Sequence, residues 1–126
     1  MSVSIDGTNG ITFNNSSTQA QSAGLGTSAT AQTWQVLTGS RALATTYTNS
    51  TGYPIMVCVS AGTSGSSGNH YLNAYINSTL IAFQVIFAAG NSTCQLSIIV
   101  PNGATYSFDV TNSSGTTNLS LWSELR

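Results

Sequence analysis

Charge is the property that this sequence has least of. Only five of its 126 residues carry a formal charge at pH 7, and the formal net charge is −1. An ordinary soluble domain is about 25% charged, and that charge keeps it dissolved and keeps its copies apart. Without a basic patch, the chain is expected to bind neither nucleic acid nor acidic lipid, so it must recognise partners by shape and neutral hydrogen bonds. The charged residues are Asp6, Arg41, Asp109, Glu124 and Arg126.

Long apolar runs are also missing. The longest, residues 80–89, is interrupted by Gln84 and falls well short of the roughly 18 apolar residues of a membrane helix, so we expect no membrane insertion. The first residues lack the basic and apolar regions of a secretory signal. We therefore expect the chain to be made and folded in a cytoplasm.

Cysteine is too scarce for a disulfide framework or a metal site. The chain has two cysteines, Cys58 and Cys94, and neither has partners at metal-ligand spacing. Cys94 alternates in step with its apolar neighbours, whereas Cys58 is out of step with Val57 and Val59. Opposite orientations predict two free thiols that pack as small hydrophobes, with no bridge between them.

The sequence offers no catalytic pattern, so we expect no enzyme, no catalytic residues, no metal and no cofactor. A Ser/His/Asp set could be assembled on paper from His70, Asp109 and any of many serines, but no Gly-x-Ser-x-Gly elbow is present. The three acids lie far apart in sequence, which disfavours glycosidase chemistry. No phosphate-binding loop and no zinc spacing occur.

What the sequence does contain falls into two parts, residues 1–32 and residues 33–126. Residues 14–32 are almost wholly polar and small, which is typical of an arm or linker. Before them, residues 3–5 and 11–13 form two short apolar–polar–apolar triplets around a Gly- and Asn-rich turn, which predicts a small β-hairpin. Residues 1–32 are thus interpreted as a tether and residues 33–126 as a head.

The head alternates apolar and polar residues between turn-rich connections, a pattern typical of β-strands. No segment shows a capped helical period. We therefore predict an all-β head, an antiparallel β-sandwich of the jelly-roll kind with about eight strands. The predicted strands are 33–38, 41–48, 54–61, 70–77, 79–88, 93–100, 105–111 and 118–125.

Two predicted strands are apolar on both faces, residues 80–87 and, more weakly, residues 98–100. In a lone two-layer sandwich one face of each sheet meets water, so such a strand needs a further surface to cover it. The simplest one is another copy of the chain, since monomers rarely expose large apolar patches. A monomer with one exposed apolar face is the alternative.

The start of the chain, Asp6-Gly7-Thr8-Asn9-Gly10-Ile11-Thr12-Phe13 with the polar stretch after it, resembles a connector in tail-fibre proteins of tailed bacteriophages and prophages. Residues 34–55 resemble the first strands of the heads that follow such connectors, and residues 122–126 resemble their C-terminal end. This resemblance implies a homotrimer of small β-sandwiches that contacts the bacterial surface.

The strand at residues 70–77 carries the candidate binding site. Alternation places Leu72, Ala74 and Ile76 on one side, and places on the other side Tyr71, Asn73, Tyr75 and Asn77. Tyrosine rings beside amides suit neutral sugars, because a ring packs on C–H groups while phenols and amides hydrogen-bond hydroxyls. A subunit interface, where tyrosine is also frequent, is the alternative. Trp34 and Trp122 are expected to anchor the core, and residues 60–69 are expected to form a loop.

These observations favour a non-enzymatic virion protein: a trimeric tail-fibre-type head that attaches to a host surface glycan or protein receptor. Residues 1–13 would join it to other virion proteins. One alternative is a structural decoration or baseplate subunit without a receptor role. The other is a free-standing lectin-like module.

Overall fold

The computed structural model describes residues 4–6, 10–12, 18–19, 32–66, 68–87, 90–111 and 115–126. The chain divides into two compact units, residues 1–32 and residues 33–126. In the first unit Ser4–Asp6 (β1), Gly10–Thr12 (β2) and Thr18–Gln19 (β3) form an antiparallel sheet in the order β1-β2-β3. The turn and the phenylalanine of the connector motif, residues 7–9 and 13, lie outside the described residues, as does most of the polar stretch.

The second unit has eight strands in two antiparallel four-stranded sheets, which confirms the predicted all-β class. Within the described ranges the only helical element is a short 3-10 turn at Thr38–Ser40, and no helix is long and apolar enough to cross a membrane. The strands are Trp34–Val36 (β4), Tyr47–Thr48 (β5), Ile55–Ser66 (β6), His70–Ile76 (β7), Thr79–Ile86 (β8), Gly90–Val100 (β9), Thr105–Thr111 (β10) and Thr116–Leu125 (β11).

One sheet has the strand order β4-β11-β6-β9 and the other β5-β10-β7-β8, and together they enclose the core in a sandwich-like arrangement. The inward face of β6 shows how alternation builds that core, because Val57 and Val59 are fully buried while Met56 and Cys58, which alternate with them, are half-buried. Each fully buried side chain of this size contributes about 1.5–3 kcal/mol. The core comprises Ile55, Val57, Val59, Ala61, Leu72, Ala74, Ile86, Ile98, Val100, Ala104, Tyr106, Phe108 and Trp122.

The cysteines confirm the parity argument. Both thiols are free. Cys94 packs against the core from β9, and burial raises the pKa of its thiol. Cys58 points to the outer face of the same sheet, beside Gln95 and Ser97.

Three expectations about the head are wrong. The predicted strand at 41–48 is a strand only at Tyr47–Thr48, because the chain turns at residues 43–44, where Ala44 has a φ of 57°. Residues 60–66 do not form a loop, because β6 continues to Ser66 and pairs with β9 on one side and β11 on the other. Pairing on both sides overrides the weak strand propensity of Gly and Ser there. Trp34 does not anchor the core either: it is 53% exposed on the outer face of β4, whereas Trp122 is fully buried as expected.

A buried carboxylate joins the two sheets. Glu124 on β11 is fully buried, and its Oε1 accepts hydrogen bonds from the Tyr106 hydroxyl at 2.7 Å and the Trp122 indole at 3.0 Å. Its Oε2 accepts one from Arg126 at 2.9 Å, and Arg41 donates to Oε1 at 3.0 Å and to Oε2 at 3.4 Å. Because Tyr106 lies on β10 of the opposite sheet, this cluster ties the layers together.

The electrostatics of this cluster favour the charged form of Glu124. Burial by itself would raise the pKa of this carboxyl, but hydrogen bonds from Arg41, Tyr106 and Trp122 and the charge of Arg41 outweigh it, so the pKa lies below its ordinary value. The pKa of Tyr106 is raised, first by burial and then by its hydrogen bond to the same carboxylate. The Arg41 guanidinium also lies over the Tyr47 ring, 4.5 Å from its centroid.

We therefore predict that Glu124→Gln lowers the free energy of unfolding at pH 7 by about 3–5 kcal/mol, because it leaves two arginines without their partner. A carboxyl whose pKa is lower in the folded than in the unfolded state stabilises the fold at pH values above its unfolded pKa of about 4.3. That stabilisation is lost as the pH falls through the pKa of the folded state. The difference between wild type and variant should therefore shrink below about pH 4.

Urea unfolding between neutral and acid pH measures this difference. Ser123→Ala, on the outer face of the same strand, is the control and should change the free energy by less than about 0.5 kcal/mol. A Glu124→Gln protein as stable as wild type at neutral pH would contradict the prediction.

Candidate functional site

The predicted binding strand is β7, and it lies between β10 and β8 in its sheet. Leu72 and Ala74 are fully buried in the core, whereas Tyr71 and Tyr75 are half-exposed on the outer face. The alternation expected for this strand is therefore confirmed at these four positions. Asn73 shares the outer parity but is itself buried.

Strand register brings residues from three strands together around these tyrosines. One cross-strand row on the outer face runs Thr111–Tyr71–Val85, the next Asp109–Asn73–Phe83, and the third Ser107–Tyr75–Leu80. Directly opposed residues on one face lie about 5 Å apart, so their side chains can act together. We call the set Tyr71, Asn73, Tyr75, Phe83, Asp109 and Thr111 the tyrosine face.

Hydrogen bonds fix the polar centre of the tyrosine face. The Asn73 amide donates to the Asp109 carboxylate at 2.9 Å and to the Thr111 hydroxyl at 2.9 Å. Both amide hydrogens are thus engaged, and Asn73 acts as a buried support that positions Asp109 and Thr111, not as a free ligand-binding amide.

Aromatic rings form the apolar part of the tyrosine face. Tyr71 and Phe83 meet edge to face with their centroids 5.9 Å apart, and Phe83 is 56% exposed. An aromatic pair of this geometry contributes about 0.5–1.5 kcal/mol beyond its buried area, so the rings hold each other in place. An exposed ring held in this way can pack on a ligand without first being ordered.

Tyr75 completes the polar centre from the other side. The pKa of its phenol is raised, first by partial burial and then by the negative charge of the nearby Asp109 carboxylate. Asp109 therefore accepts a hydrogen bond from Asn73 and lies near the phenol of Tyr75, two residues further along β7.

Asn77, the fourth predicted site residue, lies elsewhere. It sits with Ser78 in the two-residue turn between β7 and β8, and both have positive φ, as a type I′ turn requires. The Asn77 side-chain oxygen accepts the Thr105 backbone N–H at 3.0 Å. Six residues of extended strand place it about 20 Å from Tyr71, so it shapes the hairpin and is not part of the tyrosine face.

The other sheet carries a different outer face. Strand register aligns one apolar residue from each of its four strands, so that Trp34 opposes Leu125, Leu125 opposes Met56, and Met56 opposes Ile99. We call these four residues the apolar row. Trp34 and Ile99 are each more than half exposed, at 53% and 54%. Val36, the next residue on the outer face of β4 after Trp34, is 71% exposed.

The other chemically reactive groups do not assemble into a site. His70 is buried on the core side of β7, whereas Asp109 lies on the outer face of the same sheet, so these two cannot work together.

A hollow of about 220 Å³ beside Gly62, Thr93 and Asn118 is lined mainly by hydroxyls, and it is smaller than typical small-molecule sites. No group of three or more potential metal ligands occurs among the residues that the structure describes.

Sequence reasoning found the tyrosines but missed three members of the tyrosine face, Phe83, Asp109 and Thr111. The sequence signal for Asp109 was its place in the alternation of β10, which puts it on the face opposite to that of the buried residues Tyr106 and Phe108. Nothing in the sequence indicated that β10 lies beside β7, because the two strands are not consecutive.

Comparison with protein-family models, curated proteins and solved structures finds no match to this chain.

We predict that Asp109→Asn lowers the pKa of Tyr75 toward its ordinary value, because the variant removes the negative charge that disfavours the phenolate. An alkaline titration followed by NMR of ring-labelled tyrosine measures this shift. A Tyr75 titration that is unchanged in Asp109→Asn would contradict the contact.

Proposed function

We propose that this chain is a virion component of a tailed bacteriophage or prophage, made in the host cytoplasm, whose head attaches to a glycan on the host surface without catalysing a reaction. The observation that carries the proposal is the tyrosine face. It combines aromatic rings that hold each other in place with a carboxylate and a hydroxyl that the buried Asn73 amide positions, and rings and oxygens of this kind suit neutral sugars.

The resemblance of residues 6–13 to phage connectors supports a role for the first unit as a tether to other virion proteins. Within the head, Thr33 exchanges two backbone hydrogen bonds with Arg126 at 3.0 and 3.1 Å. The first strand of the head therefore enters beside the C-terminus. The ends of β6, β9 and β11 nearest Ser66, Gly90 and Thr116 lie at the opposite end of the sandwich, away from the entry point.

The apolar row supports assembly of the head with copies of itself, and we propose a homotrimer. Four neighbouring strands make the row about 14 Å wide. In the described part of the head, three of the four charged residues belong to the Glu124 cluster. Burial of the apolar row would therefore leave no charged side chain without a partner. Most homo-oligomers have closed symmetry, in which three copies of one patch can meet around an axis.

The apolar row also favours a second candidate, a structural decoration or baseplate subunit that only stabilises a particle. The two candidates differ in what the purified protein labels. A receptor-binding head labels susceptible cells, whereas a decoration subunit labels particles and not cells.

We predict that fluorescently labelled full-length protein stains host cells and that Tyr71→Ala and Tyr75→Ala each reduce this staining at least tenfold, since each removes part of the proposed ligand contact. Tyr53→Ala, a tyrosine 38% exposed outside the tyrosine face, is the matched control and should stain like wild type. Staining that survives both site variants would exclude the tyrosine face, and staining of particles alone would support the decoration role.

We also predict that Ile99→Asp converts a trimer into monomers, because it places a charge in the apolar row that the proposed assembly would bury. Sedimentation or light scattering should give wild type a mass three times that of the 13.0 kDa chain. Gln95→Asp, on the same face of β9 but beyond the apolar row, is the control and should remain trimeric. A wild-type protein that is monomeric when dilute would contradict the assembly.

A further inference from the structure

Asp109 is a carboxylate without a counter-ion in its own chain. The sequence contains only two lysine or arginine residues and one histidine. Arg41 and Arg126 are both bound to Glu124, and His70 faces the core on the other side of the sheet from Asp109. The half-buried charge of Asp109 is therefore left for something outside the chain to neutralise.

The surroundings keep this carboxylate in place without neutralising it. Asn73 donates to it at 2.9 Å, and the Tyr75 phenol lies nearby. A neutral donor fixes the orientation of a carboxylate but brings no opposite charge to it. A purely structural polar group at this position would not need that charge, because an asparagine could make similar contacts.

The aromatic rings on the same outer face as Asp109 suit a cation as well as a sugar ring. Phe83 opposes Asn73, which in turn opposes Asp109, and Tyr71 lies edge to face against Phe83. Aromatic faces attract ammonium groups, and a carboxylate accepts strong charge-assisted hydrogen bonds from them. A sugar bearing a free amine would use both kinds of group at once.

We propose that the tyrosine face selects a glycan residue carrying a free primary ammonium group, an amino sugar, with Asp109 as its charge partner. This inference rests on the proposed attachment function and names its ligand class. Asp109 sets the specificity, whereas Tyr71 and Tyr75 supply contacts that neutral sugars share.

The test is a titration of the full-length protein with glucosamine, glucose and N-acetylglucosamine at about pH 6, where an amino group with a pKa near 7.7 is mostly protonated. Chemical shifts of the tyrosine face report binding. We expect glucosamine to bind about tenfold more tightly than the other two sugars, since it alone offers a charged donor. That preference should weaken as salt is raised.

Asp109→Asn is the decisive variant, because it keeps the shape of the side chain and removes its charge. In it all three sugars should bind with similar affinity. Thermal unfolding checks that the variant is folded, and if it is not, the salt dependence of the wild-type preference decides alone.

Equal binding of glucosamine and glucose by wild type, or a preference that persists in folded Asp109→Asn or at high salt, would overturn the inference. If neutral sugars bind and Tyr71→Ala abolishes that binding, the attachment function stands and only the amine selectivity is lost. If no sugar binds and host cells are not stained, both proposals fail.

Discussion

The buried Glu124 carboxylate is the interaction on which the rest of this head depends. It accepts hydrogen bonds from Tyr106 on one sheet and Trp122 on the other, and both arginines of the chain donate to it. A buried carboxylate is costly unless it is paired and hydrogen-bonded, and here each oxygen has at least two donors. The largest aromatic residue of the core and the C-terminal residue are thereby fixed to the same point.

This cluster also determines what the surface of the head can be. Because both arginines are committed to one internal partner, neither outer face receives a positive charge. One sheet therefore presents an apolar row from Trp34 to Ile99, and the other presents tyrosines around a hydrogen-bonded amide. The low charge of the chain thus leads to two faces without a positive charge and with different chemistry, one suited to packing and one to hydroxyl-bearing ligands.

Residue alternation was enough to predict the all-β class and the orientation of most of β7, because a buried face imposes a period of two on the sequence. Alternation could not orient Trp34, because β4 is only three residues long and is too short to show a clear period of two. It also missed the continuation of β6 over residues 62–66, where Gly and Ser are held by pairing on both sides. Asn77 followed the alternation but lies in a turn, and turn geometry took precedence there.

The composition of the tyrosine face could not be predicted because it depends on non-consecutive strands, but its charge could have been. In a domain of ordinary composition Asp109 would be one of about thirty charged residues, and neighbouring ions would compensate its field. Here every arginine is committed elsewhere, so Asp109 alone sets the sign of the potential at that face. A single charge discriminates best on a neutral background, because nothing else attracts the competing ligands. The scarcity of charge in the sequence is thus what would give one carboxylate its selectivity.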